Sequence, residues 1–239
     1  MDIKEANILG DKIIDHWYYK SKSKAILKFI SRISPSIILD IGSGSGFFSK
    51  SILKNTSASS AFCVDINYQR NFNEEFLEKK IFFRKSLNTS IQADLVILID
   101  VLEHIEDDVG FLKEYINYVP SGTKFLISVP AFQFLWSNHD VFLEHKRRYT
   151  INQLKKVIKL SGLEIEKSSY YFGLIFPIVC FLRLFKNFIK NNKTKPTSDL
   201  KSHNFITNLL LSIICKIELI FFRYNRLFGL SIFCLGKKK

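Results

Sequence analysis

Apolar and polar positions along this chain switch between a helical and an extended period, and the switches mark its elements. Residues 11–33 place Ile13, Ile14, Trp17, Ile26, Leu27 and Ile30 at mixed three- and four-residue spacing, with a lysine-rich opposite face, which predicts a helix. "SIILDI" (36–41) is too short for a helix and reads as a buried strand. "GFFSKSILKN" reads as the helix that follows, and "SAFCVDIN", "IFFRKS" and "ADLVILID" as three further strands. "DDVGFLKEYINYV" predicts a helix, and "GTKFLISVP" a fifth strand entered through a turn at Pro120, Ser121 and Gly122. In "TINQLKKVIKLSG", Thr150 suits a helix N-cap and Gly162 a C-terminal stop, and "LEIEKSSYY" alternates like a half-exposed strand. Strand and helix alternating from Pro35 onward predict an α/β fold, a doubly wound and mostly parallel sheet with helices on both faces.

Two later stretches break the rhythm. Residues 170–190 and 205–228 are almost uniformly apolar, and "NNKTKPTSDLKSH" separates them. Arg183 and Lys186 interrupt the first, Lys216 and Glu218 the second, so neither is expected to span a bilayer. Both suit helices lying in a membrane interface, with a helical lid or a dimer contact as the alternative. Charge supports the first choice. The chain carries 35 Lys or Arg against 22 acids, and from Arg183 onward the ratio is 12 to two, which leaves 23 against 20 for the rest. A nearly neutral body with a basic, greasy last quarter fits an anionic membrane surface better than nucleic acid, because aliphatics and not base-stacking platforms separate the charges. The four cysteines lack paired spacing, and no leader is recognised in the first twenty residues. A cytoplasmic protein, peripheral on the inner face of the cell membrane, is therefore expected.

In such sheets ligands bind beyond the carboxyl ends of the strands. "DIGSGSG" puts Gly42, Gly44 and Gly46 there, with Ser43 between, directly after Asp40, and Asp65 and Asp100 end two neighbouring strands. A dinucleotide loop wants its third glycine where this chain has Phe47, and Asp40 would repel a pyrophosphate. An acid suits a cationic ligand, and S-adenosyl-L-methionine carries a sulfonium and an ammonium.

The stretch "ILDIGSGSG" resembles motif I of class I S-adenosylmethionine-dependent methyltransferases, and "DLVILIDVLEHIEDD" resembles their fourth-strand motif. The resemblance implies a seven-stranded Rossmann-like sheet whose last strand, here "LFGLSIFCLGKKK", is antiparallel. It places Asp40 and the Gly42–Gly46 backbone at the methionine half of the cofactor. Asp65, followed by Ile66, would hold the ribose, and the loop around Ser86 would lie near the adenine. Asp100, Val101 and His104 would stand beside the cofactor. Glu103 and His104 also suit ordinary helix-entry residues. The implied organisation is an N-terminal helical lid (1–34), a methyltransferase core (35–172), an apolar and basic helical insertion (173–226) and a final strand with a basic tail (227–239).

Residues 128–150, "SVPAFQFLWSNHDVFLEHKRRYT", follow the fifth strand and gather His139, Asp140, His145, Arg147, Arg148 and Tyr149. With His16, Trp17, Tyr18 and Lys22 they resemble a bacterial methyltransferase subfamily often associated with cell-surface glycan pathways. A hydroxyl acceptor needs a base, either His139 paired with Asp140 or His145, and paired arginines would grip a phosphate or carboxylate. The two histidines and Asp140 lack a clear fourth zinc ligand, so no metal is expected. The resulting expectation is O-methylation of a saccharide or lipid-linked intermediate in surface-glycan biosynthesis. A quinone or phenol O-methyltransferase, and a basic nucleic-acid-binding protein, are the alternatives.

Overall fold

A computed structural model describes residues 9–189, 198 and 204–239. The linker expected between the two apolar helices, apart from Ser198, lies outside the described residues, as does the start of the N-terminal segment.

Eight strands form one sheet: β1 (Ile37–Ile41), β2 (Ser60–Val64), β3 (Phe72–Phe76), β4 (Lys79–Arg84), β5 (Leu95–Ile99), β6 (Lys124–Pro130), β7 (Leu163–Tyr171) and β8 (Ser231–Lys238). Their order is β3-β4-β2-β1-β5-β6-β8-β7. The pairs β1–β2, β1–β5, β2–β4 and β5–β6 are parallel, whereas β8 runs antiparallel between β6 and β7. All seven expected strands are present. The eighth, β3, pairs antiparallel with β4 at the sheet edge, and "FNEEF" is too exposed to carry an apolar pattern.

The helices are α1 (Trp17–Phe29), α2 (Phe47–Asn55), α3 (Asp108–Asn117), α4 (Asn138–Phe142), α5 (Ile151–Leu160), α6 (Phe176–Ile189) and α7 (Phe205–Phe221). The central strands are apolar throughout because both faces are covered. In β5, Leu95, Ile97 and Ile99 join Ile26 and Phe29 of α1, Ile52 of α2 and Cys215 of α7. Val96 and Leu98 point the other way, toward Leu112 of α3 and Leu154 and Ile158 of α5. The N-terminal helix, expected as a lid, is thus packed into one sheet face.

The insertion between β7 and β8 lies on the domain. Asn204 caps α7 by accepting from Thr207 N (2.8 Å). Trp17 N donates to Asn208 Oδ1 (2.7 Å), Asn208 Nδ2 to the Asp15 carbonyl (2.8 Å), and the Tyr171 hydroxyl to the Cys215 carbonyl (3.2 Å). Glu218 is buried and accepts from Gly173 N (2.6 Å) and Leu174 N (3.3 Å), so the charge read as interrupting the apolar run points inward. The expectation that this stretch falls short of a span is thus corrected as to length and composition, while these contacts dock the helix on the domain. Phe205–Tyr224 is 20 residues long, and an 18-residue window within it has a mean hydropathy of 2.0, long and apolar enough by length and composition to cross a membrane.

Candidate active site

The loop between β1 and α2 explains its own glycines. Gly42, Gly44 and Gly46 have φ of 66°, 54° and 71°, the left-handed region that side chains rarely adopt. At Gly42 a Cβ would also stand 2.6 Å from Val101 Cγ2, so the loop needs both the conformation and the space. Asp40, at the end of β1, is buried and accepts from the Ser49 hydroxyl (2.7 Å). Burial raises its pKa to about 6, with the Ser49 hydrogen bond opposing and the charge of Asp65 adding to the rise.

Asp65, just beyond β2, reaches the same loop. Its Oδ2 accepts from Gly44 N (2.9 Å) and its Oδ1 from Asn67 N (2.9 Å). Tyr68 and Ser43 share a hydrogen bond (2.8 Å), and the Tyr68 hydroxyl also donates to the Gly44 carbonyl (2.5 Å). Ser49 and Tyr68 carried no sequence signal, since nothing in their spacing says that they brace a loop. Ile66 is exposed, as is Ser86, whose hydroxyl faces Asn88 Oδ1 at 3.5 Å.

After β5 the chain turns sharply: Asp100 has φ 57°, and Leu102–His104 form a single 3-10 turn. Lys22 of α1, fully buried, forms an ion pair with Asp100 and donates to the Tyr18 hydroxyl (3.0 Å). Burial opposes the lysine's charge, but Asp100 and Tyr18 outweigh it and hold the pKa above the ordinary value. His104 meets His145 edge to face, with ring centroids 4.8 Å apart. Glu103 is buried, and neither carboxyl oxygen has a hydrogen-bond partner among the described residues. Burial, with the nearby charge of Asp100, pushes its pKa well up.

The segment after β6 is organised by Asp140. Its carboxylate accepts from Ser137 N (2.8 Å) in a capping box at the start of α4. It also takes Arg148 Nε (2.7 Å) and Nη2 (3.0 Å) in a two-pronged grip, and stands 2.9 Å from His145 Nδ1. Burial alone would raise the Asp140 pKa, but His145 and Arg148 drive it well below the usual carboxylate range. Of the two bases left open by the sequence, the structure pairs His145 with Asp140. His139 has its Nδ1 3.5 Å from the Ser198 hydroxyl.

The expected arginine clamp needs correcting. Arg148 is buried and committed to Asp140 and the Ala131 carbonyl (3.1 Å). Arg147 binds the Glu106 carboxylate (3.1 Å) and lies 3.5 Å from Asp108. Tyr149 is also structural: its buried hydroxyl donates to Asp108 Oδ2 (2.8 Å). Glu103, His104 and His145 meet beside this segment, and their ligand atoms all lie within 4.8 Å of one another.

A doubly wound sheet with a left-handed glycine loop, and acids closing the two neighbouring strands, defines an enzyme of the cofactor-binding α/β class. The family model of the methyltransferase domain matches residues 14–168, and the chain belongs to that family. Among solved structures, a SAM-dependent methyltransferase from Archaeoglobus fulgidus is similar at 17% identity, covering 99% of this chain and 98% of that one, with a TM-score of 0.56. Phosphoethanolamine N-methyltransferase 2 of Haemonchus contortus, in complex with S-adenosyl-L-methionine, is similar at 16% identity over 98% of this chain and 55% of that one (TM-score 0.57). A putative methyltransferase of Haloferax volcanii, in complex with the Trm112 activator, is similar at 14% identity over 98% and 95% (TM-score 0.55). No curated protein matches the chain.

Proposed function

We propose that this methyltransferase acts on a hydroxyl of a saccharide or lipid-linked intermediate in surface-glycan biosynthesis, at the inner face of the cell membrane. The cofactor is S-adenosyl-L-methionine. The residues present fit it: the left-handed Gly42–Gly46 loop, with Val101 packed against Gly42, turns its backbone at the carboxyl end of β1, and buried Asp40 has a neutral partner, Ser49, that leaves its charge for a cation. Asp40, the Gly42–Gly46 backbone, Asp65 and Val101 would hold it. When bound, it supplies a methyl group on a positively charged sulfur. This chain orients the acceptor and removes its proton, and that task falls to Glu103, His104 and His145. The observation that carries the reading is His145, aimed by a buried carboxylate that Arg148 locks in place.

The membrane part rests on the insertion. Ile178 and Phe181 of α6 and Phe205, Ile206, Leu210 and Ile220 of α7 are all more than half exposed. Burying one such side chain is worth about 1.5–3 kcal/mol, and each basic residue near anionic lipid about 1 kcal/mol. A second copy of the chain would oppose its own formal charge of +13. The test offers labelled S-adenosyl-L-methionine with free saccharides, lipid-linked saccharides, prenylated phenols and amines, on vesicles that are then floated. Label on a saccharide hydroxyl, with flotation strengthened by anionic lipid and reversed by alkaline carbonate, is expected. Label confined to phenols or amines sinks the acceptor assignment, and absence of flotation sinks the membrane assignment.

A further inference from the structure

We infer that Glu103, His104 and His145 bind a divalent transition-metal ion of the zinc class, which holds the acceptor oxygen beside the cofactor. The inference rests on the acceptor-site reading above but changes His145 from base to ligand, since an imidazole nitrogen that binds a metal cannot also accept the acceptor's proton. Sequence spacing pointed only to His139, His145 and Asp140. The structure instead brings His145 against the turn after β5, where the Lys146 N–H donates to the Glu103 carbonyl (2.6 Å). The ligand atoms of Glu103, His104 and His145 then lie within 4.8 Å of one another, a modest closure away from a shared ion.

Two further observations point to a cation there. Both carboxyl oxygens of Glu103 are buried without a hydrogen-bond partner among the described residues, and such a group needs an occupant to explain it. His145 turns Nδ1 to Asp140, which leaves Nε2 for a ligand, the arrangement that usually aims a metal-binding imidazole. Two imidazoles and one carboxylate suit zinc and its first-row neighbours better than magnesium or calcium, which prefer all-oxygen shells.

Three protein ligands leave a position for an acceptor hydroxyl, and coordination lowers the pKa of a bound hydroxyl toward neutrality. The O–H bond breaks and its proton leaves to solvent. The oxygen then forms a bond to the methyl carbon of S-adenosyl-L-methionine as the carbon–sulfur bond breaks, and that electron pair returns to sulfur to give the neutral thioether.

The test uses tag-free full-length protein, stripped with a chelator and titrated with Co²⁺, with S-adenosylhomocysteine binding measured on the same samples. One equivalent of Co²⁺ with visible absorption of a nitrogen–oxygen site, displaced by Zn²⁺, is expected. Glu103→Gln and His145→Gln should each weaken it at least tenfold while S-adenosylhomocysteine still binds. No Co²⁺ bound by the wild-type chain overturns the site, whether or not the variants fold, and so does equal affinity in both variants. If S-adenosylhomocysteine binds and the metal does not, the metal site alone falls. If S-adenosylhomocysteine fails to bind the wild-type chain, the reading of the cofactor site falls with it.

Discussion

Replacing Gly42 with alanine should destabilise the protein by about 2–5 kcal/mol, in two separable parts. The left-handed backbone, φ 66°, costs an L-residue about 1–2 kcal/mol. The new Cβ would lie 2.6 Å from Val101 Cγ2, and forcing a methyl into a packed site costs about 1–3 kcal/mol more. The second part depends on Val101 and the first does not. Val101→Ala removes the clashing methyl groups, so the double variant should recover the overpacking part, a coupling of about 1–3 kcal/mol. Gly122→Ala is the control, since Gly122 also has a positive φ (91°) but nothing within 4 Å of the added Cβ, and it should show only the backbone cost. Chemical denaturation of the four variants gives these numbers, and S-adenosylhomocysteine calorimetry reports whether the loop has moved. A loss below about 0.5 kcal/mol for Gly42→Ala, or strict additivity with Val101→Ala, would refute the close-approach argument.

Two other places in the chain make tests of their own. Asp40 titrates near pH 6 because burial disfavours its charge, and a cationic cofactor favours the ionised form. Affinity for S-adenosyl-L-methionine should therefore climb as pH rises through about 6 and level off above it, while Asp40→Asn flattens that dependence in calorimetry. The same raised pKa favours the fold below about pH 4, and this contribution is lost as pH rises through about 6. In the β3–β4 hairpin, Leu77 (φ 52°) and Glu78 (φ 60°) hold left-handed positions that asparagine and glycine fill at less cost. Leu77→Asn with Glu78→Gly should raise stability by about 0.5–2 kcal/mol in denaturant titration, and an unchanged or lower midpoint would count against the strain.

That hairpin also shows where the sequence stopped being readable. β1 and β5 are buried on both faces, so their apolar runs announce them, and glycines at alternate positions after an acid announce the left-handed loop that follows β1. β3 has neither signal: its residues are exposed, its turn is Leu-Glu, and it exists because β4 offers an edge to pair with. The segment after β6 follows the same division. The residue types in "HDVFLEHKRRYT" gave away a cluster, but the partners depend on how the chain folds back. Asp140 chooses His145 and Arg148, five and eight residues on, over adjacent His139, because a capping box fixes its carboxylate at the start of α4. Lys22 finds Asp100 across 78 residues only because α1 packs on that face of the sheet. Glu103 looked like a helix-entry acid, and burial without a partner is a property of packing that no local pattern carries. Local backbone demands leave a mark on residue type, whereas the pairing of buried charges is set by tertiary packing, so the glycine loop was legible in the sequence and the partners of Asp140 and Lys22 became so only in the folded chain.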